Sequence, residues 1–167
     1  MSEALPVIYL ARHGETAWSL SGQHTGRTDL PLTERGESNA RALGERLRGL
    51  TFAKVFTSPL QRAGRTCELA GFGSAAEIDP DLVEWNYGQY EGLTTAEIHA
   101  GRPDWQLFRD GCPGGESPEQ VGHGLTPWWT GCALLRQMCW FFRAAIFSGS
   151  SLLAGWRLGQ RPEDTSC

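Results

Sequence analysis

The sequence predicts an α/β fold with a mainly parallel sheet covered by helices, and three observations carry that expectation. Short apolar runs at residues 6–11 and 54–57 alternate with helix-period segments, and strand–helix–strand alternation demands parallel pairing. A length of 167 residues suits a single domain. A composition of 40% hydrophobic and 20% charged residues is that of a chain with a packed core, which excludes global disorder.

The elements follow in order. Residues 6–11 (PVIYLA) read as a buried strand that runs straight into the polar turn RHGETAW. Thr33-Glu34-Arg35-Gly36-Glu37 opens a helix in which Ala40, Leu43, Leu47 and Leu50 recur with helical spacing, and Glu37–Arg41 forms an i,i+4 ion pair on its wet face. Lys54–Thr57 is a second strand. Ser58 is the expected cap of a helix with Pro59 in its first position, carrying Gln61 to Ala70 and ending at Gly71. The segment AEID is a brief strand broken by Pro80. Thr94–Ala100 and Asp104–Arg109 are short helices, and GCPGGESPEQV is a loop entering another helix.

Charge narrows the function. The net charge of −4 and a sequence pI near 5.6 argue against a nucleic-acid partner, which requires a basic face. The residues MSEALPVIYLARHGE lack the basic start, apolar core and cleavage site of a leader, so a cytoplasmic location is expected. Cys67, Cys112, Cys132, Cys139 and Cys167 are odd in number and contain no CxxC pair. That pattern gives neither a disulfide framework nor a zinc site. The four histidines lack ligand spacing, so no metal and no cofactor is implied.

Chemistry concentrates at Arg12-His13-Gly14-Glu15, where a strand ends and a turn begins, the usual place for ligands in an open parallel sheet. A histidine there can act as a nucleophile, and a neighbouring guanidinium can grip a phosphate through parallel hydrogen bonds. Five segments in order, RHGETAW (12–18), SGQHTGRTDLPLTERG (21–36), FTSPLQRAGRTCELA (56–70), LVEWNYGQYEG (82–92) and PGGESPEQV (113–121), resemble the histidine phosphatase superfamily, the phosphoglycerate-mutase-like clan. The resemblance covers about residues 6–121, and the wording SGQHTGRTDLPLT is closer to small sugar-phosphate phosphatases than to glycolytic mutases.

The resemblance implies a three-layer α/β/α fold and a role for each matching residue. His13 would take the phosphoryl group as phosphohistidine, with its attacking nitrogen unprotonated. Arg12 and Arg62 would hold the phosphoryl oxygens, Arg62 from the favourable N-terminal end of its helix. Ser19 and Thr25 match positions that contact phosphate or substrate. Glu84 matches the acid that protonates the leaving oxygen and then activates water, a role that requires a raised pKa, which a desolvated pocket with Trp85 and Tyr87 could supply. Asp29 and Glu37 are expected to serve turn and helix structure, and Trp18 to pack in the core. His24 either lines the substrate mouth or is an exposed loop histidine, and His99 is left on the surface. The implied partner is a small phosphorylated metabolite.

The chain departs from the family after residue 121. The family places a second histidine, in a Gly-His pair, at the end of a later strand, and Gly122-His123 comes too early and has no apolar strand before it. Composition breaks at the same point: seventeen of the nineteen acids lie in residues 1–121, and after Gly122 none recurs until Glu163. Residues 139–149 read one base out of register permit Leu-Val-Phe-Ser-Ser-Gly-His-Phe-Leu-Arg, with the missing histidine where Ile146 stands. The same shift applied to 123–136 permits the family's amphipathic stretch, and at PEDTSC it permits Gly-Arg-His-Phe-Leu. The expectation is therefore a histidine-phosphatase-like domain at 1–121 and an out-of-frame tail at 122–167, with the C-terminal strand and helix lost or non-native. The apolar run 139–156 is a poor membrane span because it holds Arg143 and three serines, so no membrane partner is expected.

Three functions compete at this level. The leading one is a phosphatase acting on small phosphomonoesters through phospho-His13, impaired by the missing histidine. A phosphoglycerate mutase is the alternative within catalysis, disfavoured by the short stretch between Arg62 and Glu84. A phosphate-binding pseudoenzyme would keep Arg12, His13 and Arg62 without turnover.

Overall fold

The structure is a computed structural model that describes residues 7–121, 139–142 and 153–157. It is a mixed α/β fold built on a five-stranded sheet in the order β3-β2-β4-β1-β5. Strands β1 (Val7–Ala11), β2 (Lys54–Thr57), β3 (Ala76–Ile78) and β4 (Cys139–Phe142) run parallel, and β5 (Leu153–Arg157) closes one edge antiparallel to β1.

Helix α1 (Ala17–Ser21) follows β1, and α2 (Glu34–Arg46) and α3 (Gln61–Leu69) flank β2. Thr33 caps α2 by accepting the Gly36 amide at 3.0 Å, and Glu34 and Glu37 sit in the first turn, where the helix dipole favours acids. The helical spacing of Ala40, Leu43 and Leu47 buries all three. Leu43 and Leu47 meet Ala11 and Val55 from the sheet, Cys67 from α3 and Ala70 just past its end in one core, against which Tyr9, Phe52 and Phe72 pack. Burying a leucine of this kind contributes about 1.5–3 kcal/mol. Leu50 lies beyond the helix and is exposed. The Glu37–Arg41 pair forms at 2.8 Å, and Glu37 also takes Arg65 of α3 at 2.9 Å, tying the two helices together.

The start of α3 differs from the sequence reading. The helix begins at Gln61, not at Pro59, and Leu60 in the capping position has no oxygen to offer. The exposed amide is satisfied from a distance: Gln61 N–H donates to Asp29 Oδ1 at 2.8 Å, and the Gln61 side chain donates to the Asp29 carbonyl at 3.0 Å. Asp29 thus serves helix structure, as expected, through a contact 32 residues away. Further on, α4 (Thr95–Gly101) begins with a capping box between Thr94 and Glu97, and α5 (Leu107–Asp110) is shorter and later than the pattern suggests. Residues 118–121 are helical, as GCPGGESPEQV predicts.

A strand is present in the place beside β1 where loss was one of the expected outcomes, so the sheet is not left open at its centre. Residues Cys139–Phe142 lie between β1 and β2, with Leu10 and Phe56 both in register with Phe141. Positions 140–142 of this strand are those of the Leu-Val-Phe in the shifted reading. A central strand requires only an apolar run with free backbone donors and acceptors, and Cys-Trp-Phe-Phe meets that need in either frame. The C-terminal helix, His123 and Ile146 lie outside the described residues.

Candidate active site

Topology brings the site together. β1 and β2 both run parallel to β4, so their C-terminal ends lie at the same edge of the sheet. Arg12 and His13 follow the end of β1, and α3, with Arg62 as its second residue, follows the end of β2.

His13 is buried, only 5% exposed. Its Nδ1 donates to the Gly14 carbonyl at 2.7 Å, which fixes the proton on that nitrogen and leaves the lone pair on Nε2. Burial, reinforced by the positive charges of Arg62 and Arg12 and opposed by the Gly14 hydrogen bond, lowers its pKa to about 4. The imidazole is therefore neutral at physiological pH, the form in which it can attack phosphorus.

The Gly14 turn is held by its neighbours. Gly14 N–H donates to Thr66 Oγ1 at 3.0 Å, and that hydroxyl donates to the Arg62 carbonyl at 2.7 Å. A Cβ on Gly14 would lie 2.3 Å from the Gly36 carbonyl oxygen, and one on Gly36 would lie 2.2 Å from that of Glu15. The two glycines let the start of α2 press its backbone against the histidine turn, where Thr33 N–H donates to the Glu15 carbonyl at 2.9 Å.

Arg62 is fully buried. Its Nη2 donates to the Gly26 carbonyl at 2.7 Å and its Nη1 to the Thr28 carbonyl at 2.8 Å, while its buried Nε has no partner among the described residues. A guanidinium has five N–H groups, so three remain for a ligand. Burial lowers the Arg62 pKa, and the carboxylates of Glu84, Asp29 and Glu91 oppose that shift. Glu84 is 7% exposed and follows the turn Pro80–Leu82. Behind it, Glu116 accepts the Asn86 amide at 2.7 Å, and the Glu116 carbonyl accepts the Trp85 indole at 3.0 Å.

Electrostatic coupling thus joins Arg12, His13, Arg62 and Glu84 in one site. Arg12 is exposed, in contrast to the other three. Ser19 and Thr25 are engaged locally. The Ser19 hydroxyl accepts the Thr16 amide at 2.8 Å and donates to the Thr16 carbonyl as part of the α1 capping box. Thr25 donates to the Gln23 carbonyl at 3.2 Å and adjoins Gly26, which Arg62 holds. His24 is half-buried, with its ring 4.8 Å from that of Tyr87, and Trp105 meets it edge-on. His99 is exposed and donates to the Trp105 carbonyl.

Glu91, Thr66 and Glu116 were not singled out from sequence. Each acts on backbone 30 to 65 residues away, and no local pattern signals such a contact.

A family model described as the histidine phosphatase superfamily (branch 1) matches residues 8–136. An acid phosphatase of Mycobacterium tuberculosis is 46% identical over 116 residues, covering 68% of this chain and 57% of that protein. A sedoheptulose 1,7-bisphosphatase of Saccharomyces cerevisiae is 39% identical over 149 residues, covering 75% and 55% respectively. The solved structure of the open reading frame Rv3214 from Mycobacterium tuberculosis superposes with a TM-score of 0.76 at 37% identity, covering 83% of this chain and 74% of that one. The chain spans just over half the length of these two curated relatives. No helix among the described residues is long and apolar enough to cross a membrane.

Proposed function

The chain belongs to the histidine phosphatase superfamily, and on that premise we propose that it is a phosphomonoesterase acting on small, sugar-phosphate-like metabolites through phospho-His13. The observation that carries this reading is His13 itself, a buried neutral imidazole whose Nδ1 is bound and whose Nε2 has no hydrogen bond among the described residues, with the charges of Arg62 and Arg12 acting on it. Similarity to a named acid phosphatase and a named sugar bisphosphatase supports the substrate class.

The steps follow from the residues. Nε2 of His13 attacks phosphorus as the bond to the leaving oxygen breaks, and the Glu84 carboxyl donates a proton to that oxygen. Arg62 and Arg12 hold the phosphoryl oxygens, where negative charge must be stabilised in the transition state. Water then attacks the phosphohistidine, Glu84 takes its proton, the N–P bond breaks and inorganic phosphate leaves. Ser19 and Thr25 are proposed to line the substrate side of this site.

Residues 122–167 are proposed to be out of frame, so that the second phosphate-binding histidine is missing. Loss of one such donor lowers kcat by about 10²–10³. The absence of any Gly-His pair after residue 123 favours a second reading, a phosphate-binding pseudoenzyme.

Release of inorganic phosphate from a panel of sugar phosphates separates the two. The phosphatase reading expects slow release that His13→Asn abolishes. Vanadate binding without any release supports the pseudoenzyme.

A further inference from the structure

Arg62 cannot orient itself unaided. Its two Nη atoms are tied to the carbonyls of Gly26 and Thr28, so the plane of the guanidinium is set by the path of residues 26–28. That path is fixed from the other side by a single atom: Glu91 Oε1 accepts Gly26 N–H at 2.8 Å and Thr28 N–H at 3.0 Å. A guanidinium takes the carbonyls and a carboxylate takes the amides of the same two residues. The loop is further stapled to the Glu91 segment, because His24 N–H donates to the Leu93 carbonyl, Gly92 N–H donates to the His24 carbonyl, and Gln23 Nε2 donates to the Gly92 carbonyl. Gly26 is pressed in so closely that a Cβ there would lie 2.1 Å from the Trp85 carbonyl oxygen.

We infer that Glu91 is a positioning residue for phosphate recognition: by holding the Gly26 and Thr28 amides it fixes the carbonyls that aim the Arg62 guanidinium, leaving the buried Nε–H and the second hydrogen of each Nη for the phosphoryl oxygens. The inference rests on the proposed role of Arg62 as a phosphate holder. Because the accepted groups are neutral amides, the function requires an acceptor oxygen at the right reach rather than a negative charge. Glutamine keeps that oxygen, aspartate withdraws it by one methylene, and alanine removes it.

The test uses the full chain, with orthovanadate and inorganic phosphate as probes in a binding titration and amide hydrogen exchange at Gly26 and Thr28 as the second readout. Vanadate affinity in Glu91→Ala is expected to fall about tenfold, the scale of releasing one hydrogen-bonded anchor. Glu91→Gln is expected within about threefold of the unsubstituted chain. Glu91→Asp should fall between them, and exchange at both amides should accelerate most in the alanine variant, less in the aspartate variant and not in the glutamine variant. Where turnover is measurable, KM should rise more than kcat falls. Should Glu91→Ala fail to fold, the ordering of the glutamine and aspartate variants carries the same test. Equal vanadate affinity in all variants overturns the role of Glu91 while the Arg62 reading stands. No binding to the unsubstituted chain overturns both.

Discussion

Thr66 stands between the histidine turn and helix α3: its hydroxyl accepts the Gly14 amide at 3.0 Å and donates to the Arg62 carbonyl at 2.7 Å. One side chain thereby ties the turn that carries His13, the proposed nucleophile, to the backbone of Arg62. Thr66→Val keeps the volume but leaves the Gly14 amide without an acceptor. A buried unsatisfied donor costs about 1–3 kcal/mol, so the urea midpoint should fall accordingly. Phosphate affinity should weaken in the same variant.

The histidine makes the folded state sensitive to acid. Its folded pKa of about 4 lies below the ordinary value of 6.5, so between those pH values the unfolded chain binds the extra proton. Stability attributable to His13 is complete above pH 6.5, erodes as pH falls through that window and is gone below about 4. The total is on the order of 3 kcal/mol, from about 1.4 kcal/mol per pKa unit. Urea unfolding at pH 7 and pH 4.5 should show a smaller loss in His13→Asn than in the unsubstituted chain. Equal losses would contradict a neutral buried imidazole.

Gly36 provides a backbone test. A Cβ there would lie 2.2 Å from the Glu15 carbonyl oxygen, and backbone on both sides leaves no flexible end to yield. Gly36→Ala should destabilise by about 3 kcal/mol, the upper end of ordinary overpacking, even though alanine favours a helix. Thermal unfolding measures it directly.

Glu116 holds the segment that carries Glu84, through the Asn86 amide at 2.7 Å. Glu116→Ala should lower kcat with less change in phosphate affinity, because the group it supports is the proposed proton donor and not an arginine. Glu116→Gln, which keeps an acceptor oxygen, should restore much of the loss. A variant that changes binding and turnover equally would show that the segment 84–88 does not act separately from Arg62.

What was legible in the sequence divides by range. The strand ending at Ala11, the helix opened by Thr33-Glu34, the spacing of Ala40, Leu43 and Leu47, and the short helix after Thr94 are written in local pattern, and the structure contains each of them. The start of α3 departs from the local pattern because Ser58 reaches only the Leu60 amide, and the Gln61 amide is capped by Asp29, a contact no nearby residue announces. Glu91 has no local signature for the same reason: its partners lie 63 and 65 residues earlier. The family resemblance places Ser19 at a substrate-contacting position, and in the structure its hydroxyl also serves the α1 capping box. Local pattern locates elements, whereas the groups that hold the candidate site residues in place act across the fold and leave no periodic trace.

The most direct measurement is covalent. The full chain is incubated with a small phosphomonoester, quenched in alkali and weighed intact. The proposed mechanism requires a gain of one phosphoryl group, lost on mild acid treatment, mapped to His13 and absent from His13→Asn. An unmodified chain that nevertheless releases phosphate, or a phosphoryl group that persists in His13→Asn, would contradict phosphoryl transfer through His13.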